Sequence, residues 1–196
     1  MAPKTLLILA CVLVATSSFT PCVLAKPKGP KLPKSPPGTV VAVAKLSAAP
    51  NKTTSGKGYL NLFLVRPDIG PSYFNLILEG SMKGVTMAHI HVANKTANNP
   101  IRLGLFPKVT APMSPVLLNP PLTYKGTVNF TASFNATDLG YWGSAGPTDF
   151  LIQLGAGDLY VNVHTVANPG GEVQGAFTCQ QPCRWPVCSA LPGRPC

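Results

Sequence analysis

Residues 159–178 read Leu159-Tyr160-Val161-Asn162-Val163-His164-Thr165, then Val166-Ala167-Asn168-Pro169-Gly170-Gly171, then Glu172-Val173-Gln174-Gly175-Ala176-Phe177-Thr178. In the first run Leu159, Val161 and Val163 alternate with polar or amphipathic residues, the period-2 pattern of a strand with one buried face. The Asn-Pro-Gly-Gly stretch is turn chemistry, so the third run returns as a second strand. The same pattern extends outward through the chain. Candidate strands are Val40–Leu46, Tyr59–Val65, Tyr73–Leu78, Val85–Val92, Thr123–Phe134 and Phe150–Leu154, separated by Pro-, Gly- and Asn-rich breaks. No sustained helical period is evident, and the weakly patterned, Pro-rich stretch 93–122 reads as a long loop. Seven or eight short strands over about 140 residues predict an all-β, antiparallel sandwich or flattened barrel.

The three histidines of the chain all fall in such strands. Met87-Ala88-His89-Ile90-His91-Val92 puts His89 and His91 two residues apart, on one face, with Ala88, Ile90 and Val92 on the other. Tyr160, Asn162 and His164 likewise face away from Leu159, Val161 and Val163. If the two strands are neighbours, three imidazoles meet outside the apolar core, a donor set suited to copper or zinc. Met87 shares the His89 face and offers a thioether. Glu172 or Asp158 is a candidate to orient an imidazole from behind. The alternative is a structural cluster of neutral, hydrogen-bonding histidines that tie loops to the sheet, with Asn162 and Thr165 as natural partners. No catalytic set can be assembled from these residues.

Working toward the N-terminus, Lys4 is followed by an apolar run from Leu6 to Ala15, and Val23-Leu24-Ala25 precedes Lys26. This is the layout of a signal peptide over residues 1–25, and the run is too short for a membrane span of about 20 residues. The expectation is a secreted, extracellular chain with no membrane span after cleavage. Four sequons fit that compartment: Asn51-Lys52-Thr53, Asn94-Lys95-Thr96, Asn129-Phe130-Thr131 and Asn135-Ala136-Thr137. So do Cys179, Cys183, Cys188 and Cys196, which read as two disulfides of open connectivity in a Cys/Pro-rich tail, 179–196. Zinc is the weaker reading of that tail, because paired Cys-x-x-Cys knuckles and a nearby histidine are missing.

Residues 26–38, KPKGPKLPKSPPG, form a Lys/Pro-rich extended linker. They carry much of the net charge of +10, whereas 39–178 holds nine basic against six acidic residues. Without a basic helix or basic–aromatic interleaving, nucleic acid is not an expected partner. An acidic extracellular polysaccharide or an extracellular protein is.

The two histidine-bearing segments, MAHIHVANKTANNPIRLGLF and GDLYVNVHTVANPGGEVQGAF, resemble the signature segments of the CHRD (chordin) domain, and the resemblance covers roughly 39–178. It implies an immunoglobulin-like or superoxide-dismutase-like Greek-key β-fold. Gly80-x-x-x-Gly84 followed by His89-x-His91, with Val163-His164 later, also resembles the copper strands of copper–zinc superoxide dismutase. The chain departs from that pattern: no histidine is left for a bridging or zinc site, and no arginine stands in 172–178. Two functions follow. One is a non-enzymatic extracellular or matrix interaction protein; the other is a secreted copper- or zinc-binding protein with redox chemistry at His89, His91 and His164.

Overall fold

In Val40–Ala48 (β1), Val40, Ala42, Ala44 and Leu46 are buried, while the residues between them are half-buried or exposed. This alternation sets one face of the strand against a core, and Lys57–Leu64 repeats it. The computed structural model describes residues 35–93, 99–107, 116–139 and 146–185. Lys57–Leu64 (β2) pairs antiparallel with β1; the other edge of β2 meets the next strand in the chain, whereas that of β1 meets the last. Among the described residues no helix is long and apolar enough to cross a membrane.

Two of the expected strands, Tyr73–Leu78 and Val85–Val92, are halves of one 21-residue strand, Ser72–Val92 (β3). The break expected at Gly80 is a bend within it. Gly80 adopts φ +92°, and a Cβ there would lie 2.2 Å from the Ser55 carbonyl oxygen. A glycine lets the strand turn without losing its ladder. The first half of β3 pairs with β2 on one side and Leu122–Phe134 (β5) on the other. The second half pairs with Leu159–Thr165 (β6) and Ile101–Phe106 (β4). β6 pairs with Val173–Cys179 (β7), and β7 returns to β1. The circuit β1-β2-β3-β6-β7 is a closed, antiparallel five-stranded barrel, with β4 and β5 as extra strands on β3.

Two expectations fail locally. Phe150–Leu154 is helical, inside Gly146–Ala156 (α2), and not a strand. A five-residue apolar run fits either period. What decides is that Phe150, Leu151 and Leu154 fall on one helical face, which packs onto the core, with Pro147 at a helix start, where its missing N–H costs nothing. The stretch 93–122 is not wholly a loop, since it contains β4, whose Leu103 and Leu105 are buried. The short helix Ala136–Leu139 (α1) follows β5. Arg102 of β4 is buried; burial lowers its pKa and the charge of Asp149 in α2 opposes that shift.

The core joins leucines of β2 and β3 to Val161 and Val163 of β6, Phe134, and Phe150 of α2. Cys179 and Cys183 form a disulfide, and with Trp185 they pack against this core. Cys188, Cys196 and the N-terminal segments 1–25 and 26–34 lie outside the described residues.

Gly80→Ala is expected to destabilise the domain by about 2–3 kcal/mol, from the left-handed φ together with the approach to Ser55. Denaturant unfolding checks this, with the loss appearing as a lower midpoint at unchanged slope.

Candidate metal centre

The β3–β6 register places Met87 opposite His164, His89 opposite Asn162 and His91 opposite Tyr160. Because paired residues of antiparallel strands point to the same side, the alternation that sends Ala88, Ile90, Val161 and Val163 into the barrel sends all three histidines out of it together. They are nonetheless buried: His89 is 2% exposed, His91 8% and His164 6%. One ring nitrogen from each lies within 4.8 Å of the other two. The ring centroids are 5.3–5.9 Å apart.

What holds the rings is backbone. The Asn99 carbonyl accepts from His91 Nδ1 at 2.9 Å, and the Pro169 carbonyl accepts from His164 Nδ1 at 2.8 Å. A carbonyl only accepts, so each Nδ1 carries the hydrogen and each Nε2 of the neutral ring presents a lone pair. Those two Nε2 atoms, together with His89 Nδ1, are buried and have no hydrogen-bond partner. An unpaired buried polar atom costs on the order of 1–3 kcal/mol, and here three occur on rings that lie together.

The side chains expected to serve as partners are engaged elsewhere. Asn162 Nδ2 donates to the Gly170 carbonyl, and Thr165 Oγ1 donates to Glu172. Glu172 also accepts from Thr54 and Asn168, and Asp158 is exposed, so neither carboxylate orients an imidazole. Met87 is half-buried opposite His164. The hydrogen-bonding alternative is formed in part: His91 and His164 tie the loops at Asn99 and Pro169 to the sheet, but through backbone carbonyls and not through Asn162 or Thr165.

The 168–172 turn is the frame for His164. Asn162 ties down Gly170 while Glu172 holds Thr165 and Asn168, and the Glu172 backbone N–H donates to the Val163 carbonyl. Gly171 has φ +124° with the Asn162 amide packed against it, so a Cβ there would collide with Asn162 Oδ1 at 2.1 Å. Tyr160 was not anticipated as part of the site. Its ring stacks on His91 at 5.3 Å and 20°, and its hydroxyl accepts from Asn99 Nδ2. Its place on the His164 face was the available signal; the carbonyls of Asn99 and Pro169 carry none, because every residue has one.

Burial first, and then the neighbouring His164 and His91, push His89 down to about 3, and burial also lowers His91 and His164. All three are neutral near pH 7, the state in which imidazole ligates a metal. Metal–nitrogen bonds of about 2.0–2.1 Å in tetrahedral geometry would bring nitrogens to roughly 3.4 Å, closer than the 4.8 Å within which they now stand. The donor set fits a copper or zinc ion. Among the sequons, Asn51, Asn129 and Asn135 are exposed, and Asn94 lies outside the described residues.

A family model for the CHRD domain matches residues 41–177. Comparison with curated proteins and with solved structures finds no match, so the expected likeness to copper–zinc superoxide dismutase gains no support there.

The metal-free protein is expected to lose stability in acid. A histidine whose folded pKa lies below 6.5 stabilises fully above that pH, and the contribution is lost as pH falls toward about 3. Burial alone would raise the Glu172 carboxyl, but its hydrogen bonds from Thr54, Thr165 and Asn168 outweigh burial and hold it below 4.5. Its contribution is therefore also lost on acidification. Melting temperature measured from pH 8 to 4 in the presence of chelator should be flat above about 7 and fall steadily below 6.5; His89→Gln should flatten the upper part of that fall.

Proposed function

The chain belongs to the CHRD-domain family, and on that footing we propose that it is a secreted extracellular protein whose barrel holds one copper or zinc ion between His89, His91 and His164. The observation that carries this reading is the convergence of three buried imidazoles, each with an unpartnered ring nitrogen, two of the rings being fixed from behind by backbone carbonyls. An ion satisfies all three nitrogens at once, where a single hydrogen-bond donor would satisfy one. Secretion is supported by the N-terminal apolar run, the sequons and the cysteine usage.

Three neutral imidazoles, from His89, His91 and His164, would hold a divalent ion without compensating its charge. Copper bound there supplies one-electron chemistry, and zinc supplies a Lewis acid. The protein's share is to fix the rings through Asn99 and Pro169, to keep them neutral by burial and to shield His91 with Tyr160. In the non-enzymatic alternative the same ion is structural, and the protein binds an extracellular protein or polysaccharide. The basic, proline-rich segment 26–38 favours that role.

Reconstituted protein is expected to contain one equivalent of copper or zinc per chain, and to melt several degrees higher than the chelated form. His89→Ala should abolish both effects. Elemental analysis and calorimetry decide; no bound metal together with an unchanged melting temperature would sink the proposal. A superoxide-consumption assay on the loaded protein separates redox chemistry from a structural ion. Retention on isolated wall or matrix polysaccharide at low salt tests the interaction role.

A further inference from the structure

The outer face of the β1-β2-β3-β5 side carries a lateral row in strict register. Lys45 stands opposite Tyr59, Tyr59 opposite Ile77, and Ile77 opposite Asn129. All four point away from the barrel, because Leu60, Leu76 and Leu78 beside them are fully buried. Tyr59 is one of the few large apolar side chains left exposed, at 37%. Asn129 heads the sequon Asn129-Phe130-Thr131, so its hydroxyl partner Thr131 lies two residues on, on the same face.

Asn75 fixes both sequon side chains. Its Nδ2 donates to Asn129 Oδ1 and, at 2.9 Å, to Thr131 Oγ1. The Asn129 carboxamide therefore turns its oxygen toward the sheet at Asn75, which leaves the opposite atom, Nδ2, for attachment. Tyr59 lies two strands away, about 10 Å at the usual interstrand spacing, a gap that the first two sugars of an N-linked chain bridge.

We propose that Asn129 carries an N-linked glycan whose first N-acetylglucosamine units lie across Ile77 and stack on the ring of Tyr59. The sugar C–H faces cover the apolar surface of both side chains, the kind of contact for which an aromatic ring is well shaped. The glycan also stands beside β5, a 13-residue strand that pairs only with β3 among the described residues. A bulky hydrophilic group there obstructs edge-to-edge pairing with other chains.

This inference rests on the secretory route proposed above, and a heterologous signal peptide lets the two fail separately. The chain is secreted from a eukaryotic host behind such a peptide, with Asn51, Asn94 and Asn135 changed to Gln. Glycopeptide mass mapping should find Asn129 occupied. Enzymatic removal of the glycan converts Asn129 to Asp, which keeps an acceptor for Asn75, and should lower the melting temperature by about 3 °C. In Tyr59→Ala the same removal should cost less than 1 °C. Nuclear Overhauser contacts between sugar protons and the Tyr59 ring in the unmutated glycoprotein give a readout that needs no variant at Tyr59. An unoccupied Asn129, equal glycan dependence with and without Tyr59, or the absence of those contacts would each overturn the proposal.

Discussion

The antiparallel register between the second half of β3 and β6 is the constraint on which the site depends. It sets Ala88 against Val163 and Ile90 against Val161 inside the barrel, and by the same alternation Met87 against His164 and His89 against Asn162 outside it. A slip of one residue would turn valines and isoleucine to the outer face and imidazoles into the core. Apolar packing therefore holds the histidines in place at a distance, without touching their polar atoms. The bend at Gly80 is what lets one strand serve both this pairing and that with β2 and β5, so the barrel closes with its site on one half of β3.

Burying three imidazole nitrogens without partners works against folding, and the surrounding structure shows how that is tolerated. Two rings have one nitrogen satisfied by a carbonyl, and all three shed their charge because burial lowers their pKa values. Side chains able to finish the job are nearby but committed to the 168–172 turn. The polar 168–172 turn frames His164, while ring nitrogens beside it have no hydrogen-bond partner.

The strand content was readable wherever apolar residues alternated with polar ones, as in 40–46 and 159–165, although in 159–165 the polar face is buried as well. It was misread where both periods fit. Phe150–Leu154 is too short and uniformly apolar to reveal its helix, and the alternation of Ile101–Phe106 is brief and embedded in proline-rich surroundings. The histidines were identifiable from spacing, but the partners were not. Glu172 and Asp158 were natural expectations from chemistry, whereas the actual anchors are backbone carbonyls, which have no signature in a sequence.

By itself the sequence determined that the chain is β-rich, that His89 and His91 share a face and that His164 shares one with Tyr160 and Asn162. Each of these is a local matter of a two-residue period. Only the tertiary structure decided that the two faces are the same surface and that the rings there lose water. Strand adjacency and burial arise from non-local pairing, here between residues some 75 positions apart in the chain, and no local period encodes which strands will meet.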